Sequence, residues 1–363
     1  MSKVYFGSVE FKELGNVNET LPVKMQKILK EINVAGMVKD KSVAIKMHLG
    51  KNFGYSTIHP LFVKLLVDEI KKGNPTQVFI TDLNFDVSEA KNRGYTEEVV
   101  GVPIYPVAGI FDKYFYNHDV NYKKLKGVEI AGLIHDADVL INFSHVKGHG
   151  CCAYGGACKN IAMGCVTSNT RGQIHSLEGG IEWIEDKCIH CNKCLSECRY
   201  DANSFDKDGK FKINYHNCTF CQHCVKMCSE GALKLTEDNF DNFQQGMALT
   251  TKEVLDTFDK ENVLHINMLT DITYLCDCWG QTTPSLVPDI GITASKDMVA
   301  IEKACLDMIK TENLLPNSLP AGYELSDGNH LFEKVHGRDP YIQIKFLEKE
   351  GMGSQNYTIK EIE

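Results

Sequence analysis

The feature that most constrains this chain is a pair of cysteine runs separated by a short polar spacer. Each run has the spacing Cys-x-x-Cys-x-x-Cys-x-x-x-Cys. The two runs comprise Cys188, Cys191, Cys194 and Cys198, then Cys218, Cys221, Cys224 and Cys228. One such run also occurs in zinc knuckles, but two identical copies so close together favour a pair of 4Fe-4S clusters.

The geometry of a 4Fe-4S cube explains the spacing. The cube has four iron corners, and three closely spaced thiolates on one loop reach only three of them. In bacterial-type ferredoxins the last cysteine of each run crosses to the other cluster. The spacing therefore predicts one cluster on Cys188, Cys191, Cys194 and Cys228, and a second on Cys218, Cys221, Cys224 and Cys198. Arg199 and Ser229 replace the proline that usually follows the fourth cysteine, which leaves the ligands unaffected.

The composition is that of a globular protein with room for two or three domains. Of the 363 residues, 43% are hydrophobic and 24% are charged, so extensive disorder is not expected. The formal net charge of −9 argues against broad nucleic-acid binding. We therefore expect a small-molecule substrate and no nucleic acid.

Cysteine usage indicates a reducing compartment. Eight of the fifteen cysteines fall in the two runs, and cluster ligands must be reduced thiolates. The start of the chain, MSKVYFGSVEFKELG, has no apolar signal core, and no stretch approaches the roughly eighteen apolar residues that cross a membrane. We expect a cytoplasmic protein without membrane contact, and the oxygen sensitivity of such clusters indicates an anaerobe as its source.

Strand and helix signals alternate outside the cysteine runs, as in a parallel α/β sheet. The predicted strands cover residues 3–10, 42–49, 77–83, 102–107, 137–143, 262–273 and 289–294. The predicted amphipathic helices cover residues 20–34, 60–72 and 297–310. These signals predict helices packed against a central sheet.

The two-cluster unit is expected to be an insertion into one larger domain, because α/β signals precede and follow it. The segments WIED, KFKINYHN and ALKLTE around the runs are typical of the short strands in ferredoxin-like halves. The predicted fold class is α/β, a mixed or parallel sheet flanked by helices, with an inserted α+β ferredoxin-like two-cluster domain. The predicted boundaries are 1–184 for the first part of the α/β domain, 185–235 for the insertion and 236–363 for the second part.

Charged side chains lie at the ends of two predicted strands. In parallel sheets the chemistry gathers at the carboxyl edge. Lys46 and His48 end one strand and Asp82 ends another. Asp82 has an alternative role as a helix N-cap or turn residue, whereas an ammonium such as Lys46 is costly to bury without a partner. We expect all three to help bind a cofactor or substrate.

The stretch from 144 to 165, SHVKGHGCCAYGGACKNIAMGC, combines glycines with histidines, lysines and cysteines. We expect an irregular loop here, because glycines let the backbone approach a ligand closely. The lysines suit an anionic ligand or a developing oxyanion, and a histidine can supply a proton near neutral pH. The candidate catalytic residues are Lys147, His149, Cys151, Cys158 and Lys159, with Asn160 as a binding residue. Each lysine has the alternative role of a solvated surface residue.

Seven cysteines lie outside the two runs. Cys305 falls on a predicted helix with apolar neighbours, which is typical of a small buried residue. Cys276 and Cys278 end a predicted strand, and Gly280 allows the bend that would bring both thiolates to one point. We expect them to hold an additional metal centre or cluster, with His145 or His149 and some of Cys151, Cys152, Cys158 and Cys165. The alternative is that these cysteines are small buried residues with one or two redox-active thiols.

Outside the cysteine runs, the chain resembles the domain of unknown function 362 family, which is often fused to a ferredoxin unit. The matching segments are IKMHLGK, STIHPLFVKLLVDEI, VFITDLN, ADVLINFSHVKGHG, GGACKNIAMG and DIGITASKDMVAIEKACLDMI. Lys147, His149, Lys159 and Asn160 carry the family's KxH and KN elements. Ser144 and His145 stand where the family has a Pro-Lys pair. The loop is also faintly similar to the loop of lactate-racemase-type proteins. That resemblance implies that the loop would hold a metal-bearing organic cofactor.

These features predict an iron–sulfur oxidoreductase in which two clusters pass single electrons to the Gly/Lys/His/Cys-lined site. That site would hold a small anionic substrate or a further metal centre. An external ferredoxin or flavodoxin is the expected donor, because no G-x-G-x-x-G follows a strand. One alternative is a ferredoxin-type electron-carrier subunit without its own substrate. Another is a protein for the maturation or storage of metals or clusters.

Overall fold

The structure is a computed structural model that describes residues 1–51, 53–198, 201–214, 218, 223–236 and 240–363. The strands are β1 (Ser2–Ser8), β2 (Ser42–Lys46), β3 (Gln77–Asp82), β4 (Ile104–Pro106), β5 (Phe115–His118), β6 (Val128–Ala131), β7 (Val139–His145), β8 (Lys147–His149), β9 (Ala153–Gly155), β10 (Ile181–Trp183), β11 (Asn203–Phe205), β12 (Phe211–Ile213), β13 (Leu233–Leu235), β14 (Val263–Leu269), β15 (Gly291–Ser295) and β16 (Tyr357–Glu361).

The helices form where the sequence has an apolar stripe of helical period or a capping residue. The helices are α1 (Leu21–Ile32), α2 (Val34–Met37), α3 (Pro60–Lys71), α4 (Asn84–Glu89), α5 (Glu97–Val100), α6 (Gly132–His135), α7 (Ala157–Gly164), α8 (Ser168–His175), α9 (Lys193–Ser196), α10 (His223–Lys226), α11 (Phe240–Leu255), α12 (Met298–Met308), α13 (Leu331–His336) and α14 (Tyr341–Lys349). In α12, for example, the Asp297 side chain accepts a hydrogen bond from the Ala300 N–H and so caps the first turn.

Eight strands form the main sheet, in the order β16-β1-β15-β14-β7-β2-β3-β4. The five strands β14, β7, β2, β3 and β4 run parallel to one another, and β1 pairs with β16 in parallel. Strand β15 is antiparallel to both β1 and β14. The predicted α/β class, with a mixed and mostly parallel sheet between helices, is confirmed.

The alternation of side chains along the strands divides the core into two layers. In β2, Val43 and Ile45 pack with α1 and α3, whereas Ala44 belongs to the opposite layer, which includes α7, α11 and α12. Lys46 has the same parity as Ala44 and therefore points toward α7. This parity decides which side chains of the strand ends can meet.

The ferredoxin-like unit is built from two short antiparallel pairs, β10 with β13 and β11 with β12. Each cysteine run contains one short helix, α9 in the first and α10 in the second. A small apolar cluster, which includes Ile181, Phe211 and Leu233, packs inside the unit. Because β10 pairs with β13, the regular structure of the unit starts at Ile181, before residue 185. The division into domains at residues 184 and 235 stays a prediction.

The stretch from 144 to 165 is mostly regular, which corrects the expectation of an irregular loop. Strands β8 and β9 form a buried hairpin, and α7 follows directly. The glycines serve close packing, because a Cβ on Gly148 would overlap the Tyr274 carbonyl oxygen and one on Gly156 would lie 2.6 Å from Glu302 Oε2. Close packing of these buried elements therefore accounts for both glycines.

The end of the chain returns to the main sheet, where β16 pairs with β1. Helices α13 and α14 precede this strand, and α14 packs against α11 and α12. Within the described ranges, every helix is too short or too polar to cross a membrane. Residues at both ends of the chain thus contribute to one layered domain.

Candidate functional site

A cavity of about 460 Å³ opens where the parallel strands β2, β3 and β7 end. Small-molecule sites commonly have volumes of about 300–1,000 Å³. The charged, histidine and cysteine residues of its wall are Lys46, His48, Lys51, Asp82, Asp86, Asp112, His145, His149, Lys159, Arg171, His175, Cys276, Asp277 and Cys278. Asn160 also lines it. The structure therefore brings together the residues predicted at the carboxyl edge of the sheet and part of those predicted in the 144–165 stretch.

Lys46 lies at the base of the cavity and is fully bonded. Its Nζ donates to Asp82 Oδ1 at 2.9 Å, to Asn160 Oδ1 at 2.8 Å and to the Met47 carbonyl at 3.0 Å. These three acceptors satisfy all three N–H groups of the ammonium. Lys46 thus joins β2, β3 and α7, and its positive charge is already balanced by Asp82.

Asp82 is the acceptor around which this edge is arranged. Besides Lys46, it accepts hydrogen bonds from the Leu49 N–H at 2.8 Å and lies 3.0 Å from His48 Nδ1. Burial acts to raise the pKa of Asp82, but the charges of Lys46 and His48 outweigh it and hold the pKa well below its usual range. Leu83 occupies the N-cap of α4, so Asp82 does not serve as the cap.

Asp86, which the sequence reasoning missed, shares His48 with Asp82. His48 Nδ1 lies 3.6 Å from Asp86 Oδ2. Both carboxylate oxygens of Asp86 are buried without a hydrogen-bond partner among the described residues, and so is His48 Nε2. Burial, reinforced by the negative charge of Asp82, raises the pKa of Asp86 to about 6. His48, Asp82 and Asp86 each offer a ligand atom within 4.8 Å of the others, which is close enough for a metal ion.

Four predicted residues converge at the other side of the cavity. Cys276 and Cys278 form a disulfide, and Lys159 Nζ lies 3.7 Å and 3.6 Å from their sulfur atoms. One ring nitrogen of His149 lies within 4.8 Å of both sulfurs, a spacing that would suit a metal ion if the two thiols were reduced. The disulfide differs from the metal ligation expected for this pair.

The structure places Lys147, Cys151 and Cys158 behind the cavity wall, which corrects the expectation that they line the site. Lys147 Nζ is 2.7 Å from Asp277 Oδ1 and also donates to the carbonyl and hydroxyl of Ser56. Cys158 Sγ lies 3.5 Å from Thr251 Oγ1 in the core. Burial raises the pKa of Cys151 and Cys158 well above the usual range, which favours the thiol over the thiolate.

Asp277 is a second residue that sequence reasoning missed. It is buried between the two cysteines of the disulfide and accepts a hydrogen bond from Lys147, while His145 Nδ1 lies 3.1 Å from Oδ2. Burial acts to raise the pKa of Asp277, but Lys147 and His145 outweigh it and hold the pKa well below its usual range. Its position between Cys276 and Cys278 was the available signal.

The ferredoxin-like unit has a separate small cavity whose wall contains the four cysteines predicted for one cluster, Cys188, Cys191, Cys194 and Cys228. The Ala202 N–H donates to Cys198 Sγ at 3.2 Å, and the Ala232 N–H donates to Cys228 Sγ at 3.2 Å. Backbone donors of this kind suit thiolates that bind a cluster. This set therefore fits a 4Fe-4S cluster. Cys221, predicted for the second cluster with Cys218, Cys224 and Cys198, lies outside the described residues.

The fold and these sites define an α/β protein with an iron–sulfur unit of ferredoxin type. The chain belongs to the family described as Domain of unknown function (DUF362), which matches residues 43–307. The resemblance inferred from the sequence is thereby confirmed.

Three curated relatives match shorter parts of the chain. Archaeal-type glutamate synthase [NADPH] of Dehalococcoides mccartyi is 32% identical over 79 residues, which are 22% of this chain and 16% of the relative. NADH-quinone oxidoreductase subunit I of Pelobacter propionicus is 29% identical, over 19% of this chain and 45% of the relative. Pyruvate synthase subunit PorD of Methanocaldococcus jannaschii is 35% identical, over 13% of this chain and 56% of the relative. The chain thus spans between 16% and 56% of the length of these relatives. With the paired cysteine runs, the matches support an iron–sulfur electron-transfer role.

Two solved structures align with part of this chain at low similarity. The lactate racemase apoprotein from Thermoanaerobacterium thermosaccharolyticum overlaps 68% of this chain and 49% of its own, at 13% identity and a TM-score of 0.35. A protein from Thermotoga maritima overlaps 71% of this chain and 52% of its own, at 10% identity and a TM-score of 0.37. About half of each of these structures has no counterpart in this chain.

Proposed function

We propose that this chain is a reductase that takes electrons from an external ferredoxin or flavodoxin and passes them to a small anionic substrate in the cavity at the strand ends. The clusters, when bound by the two cysteine runs, supply single electrons at low potential. The observation that carries this proposal is the set of cationic and imidazole side chains that line one cavity of small-molecule size.

Among the described residues, three cations of the cavity wall form no ion pair with a carboxylate, although four aspartates also line the cavity. Lys51 and Arg171 line it together with Lys159. Arg171 donates one hydrogen bond to the Val166 carbonyl, and Lys159 contacts the two sulfurs of the disulfide. Burial lowers the pKa of both side chains, because it disfavours their charged forms. A carboxylate in the cavity would offset that cost.

His48 is the residue best placed to supply a proton. Its Nδ1 is held by Asp82 at 3.0 Å, and its Nε2 is buried without a hydrogen-bond partner among the described residues. A histidine oriented by a carboxylate through one nitrogen can exchange a proton with a ligand through the other. His48 is therefore positioned for general acid catalysis, and Asp82, which is itself bonded to Lys46, holds its ring in place.

Binding of oxalate tests the cavity part of the proposal. Anaerobic calorimetry on the cluster-loaded protein should show oxalate binding and no binding of oxamide, its neutral counterpart. Arg171→Gln should weaken oxalate binding about tenfold or more, because a charge-assisted hydrogen bond contributes about 1.5–3 kcal/mol. Lys64→Gln is the matched control, because Lys64 pairs with Asp68 on the exposed face of α3.

The same experiment separates the proposal from its alternative. A pure electron-carrier subunit would have no use for an anion site, so it predicts equal heats for oxalate and oxamide. Equal heats for the two compounds, or unchanged oxalate affinity in Arg171→Gln, would contradict the proposed function.

A further inference from the structure

The disulfide at the cavity wall is of little use for stability. Cys276 and Cys278 are separated by one residue. A disulfide stabilises mainly by restricting the unfolded chain, and the gain falls as the closed loop becomes shorter. Outside the two cysteine runs, Cys151, Cys152, Cys158, Cys165 and Cys305 form no disulfide among the described residues. A bond across so short a loop is more consistent with a redox role than with a structural one.

Lys159 is placed to stabilise the reduced form of this pair. Its Nζ is 3.7 Å from Cys276 Sγ and 3.6 Å from Cys278 Sγ. An ammonium at this distance favours a thiolate, which is the nucleophilic form of cysteine. Either sulfur could therefore carry the negative charge after the bond opens.

His149 is a second polar side chain close to the pair. Its Nδ1 accepts a hydrogen bond from the Cys151 N–H at 3.1 Å, so the proton of the neutral imidazole lies on Nε2. One of its ring nitrogens lies within 4.8 Å of both sulfurs of the disulfide. The pair thus has an ammonium and an imidazole close to its sulfurs, and the proton that is taken up with the two electrons comes from solvent.

We propose that Cys276 and Cys278 form a redox-active disulfide, which collects two electrons delivered one at a time from the ferredoxin-like unit. We also propose that the substrate is a small disulfide that bears carboxylates. Both parts rest on the proposed function. The external ferredoxin is the reductant. Two electrons and one proton open the Cys276–Cys278 bond and leave one thiol and one thiolate beside Lys159.

The oxidative half of the cycle also balances. The thiolate attacks one sulfur of the substrate disulfide, which forms a mixed disulfide and releases the first substrate thiolate. The remaining cysteine then attacks its partner, re-forms the Cys276–Cys278 bond and releases the second substrate thiolate. Both products take protons, one from the cysteine thiol and one from solvent. The lysines and Arg171 of the cavity would bind the carboxylates of this substrate.

An anaerobic reductive titration of the cluster-loaded protein tests the electron count. The wild-type protein should take up two more electrons than the double variant Cys276→Ser/Cys278→Ser, with equal cluster absorption in both. Cys305→Ala, which alters a free buried thiol, should match the wild-type count. Equal uptake by the wild type and the double variant would overturn the proposal. So would zinc or iron in the purified wild-type protein that the double variant lacks, because it would make the pair a metal site.

Turnover with dithiobis(nitrobenzoate), an anionic disulfide, tests the substrate class. Reduced ferredoxin should drive its reduction by the wild-type protein, and the double variant should lose at least nine-tenths of that rate. Dithiodipyridine, which is neutral, should be reduced more slowly. In Lys159→Met, alkylation of the reduced pair should shift to higher pH. Unchanged turnover in the double variant would contradict the disulfide cycle. If the wild-type protein reduced the anionic disulfide but did not bind oxalate, only the proposed function would be contradicted.

Discussion

The Lys46 ammonium lies 2.9 Å from the Asp82 carboxylate, and both side chains are almost completely withdrawn from solvent. The pair joins the ends of β2 and β3 directly beneath the candidate substrate cavity. Asn160 of α7 accepts a further hydrogen bond from the same ammonium. One buried ion pair therefore fixes the positions of two strands and one helix at the site.

Replacing Lys46 by Met should destabilise the fold strongly, because it leaves Asp82 buried without its main counter-charge. Breaking a buried pair in this way typically costs about 3–5 kcal/mol. Thermal and denaturant unfolding of the anaerobic protein would measure the change. Lys64→Met removes an exposed pair with Asp68 and should cost less than about 1 kcal/mol. The double variant Lys46→Met/Asp82→Asn should be less damaged than Lys46→Met alone, and equal or greater damage would contradict this reading.

Gly164 has no side chain, and the Lys46 side chain occupies the space where its Cβ would lie. A Cβ at Gly164 would overlap Lys46 Cε, so Gly164→Ala should displace the ammonium from Asp82 and Asn160. We expect a loss of about 1–3 kcal/mol in unfolding free energy, the usual effect of overpacking. Gly172→Ala on α8 is the matched control, because nothing lies within 4 Å of its added Cβ. Equal stability of the two variants would show that Lys46 is not confined as described.

Asp86 should make stability depend on pH. Its folded pKa is raised to about 6 by burial and by Asp82, above an unfolded value of about 3.9. The folded state therefore holds the proton more tightly, and this stabilisation is present below about pH 4 and is lost as the pH rises to about 6. Asp86→Asn should be more stable than the wild type near pH 7.5, by at most about 3 kcal/mol.

Melting temperatures across the pH range would test this expectation. The advantage of Asp86→Asn should shrink below pH 6 and vanish near pH 4. Asp68→Asn alters an exposed carboxylate on α3 and should show no such trend. An advantage that is constant with pH would mean that Asp86 is not protonated in the folded protein.

Cys228 should belong to the cluster of the first run, although it lies in the second. Cys228→Ala should therefore disturb the cluster held by Cys188, Cys191 and Cys194, whose cavity it shares. We expect the tightly bound iron of the reconstituted protein to fall by about half, since one of two cubes loses a ligand. Ser229→Ala, at the next position, should leave the iron content unchanged. Iron loss confined to the cluster of Cys218 and Cys224 would contradict the crossed assignment.

The strand-end residues could be predicted from the sequence because short continuous apolar runs locate the buried strands and their carboxyl ends. Lys46 and Asp82 follow such runs directly, and parallel pairing brings their ends together. The antiparallel direction of β15 could not be predicted, because a short apolar run looks the same in either direction. Asp86 was missed because it lies one turn into α4, where an acidic residue is ordinary at a helix start.

The 144–165 stretch shows why the remaining residues were misplaced. Its glycines indicated a loop, but they permit close packing of a hairpin and a helix. Once α7 is recognised, helical geometry separates neighbours: Lys159 and Asn160 face the cavity, whereas Cys158 faces α11. Cavity residues and core residues of this segment cannot be separated from the sequence unless the segment is known to be helical.

The central claim is that a pair of cubes in the ferredoxin-like unit supplies electrons to the cavity at the strand ends. An anaerobic crystal structure with an anomalous iron map tests it most directly. The account predicts two four-iron sites at the cysteines between residues 188 and 228, with at least one within electron-tunnelling reach of the Cys276–Cys278 pair. A map with fewer than two such sites, or with both beyond tunnelling reach of the cavity, would contradict it.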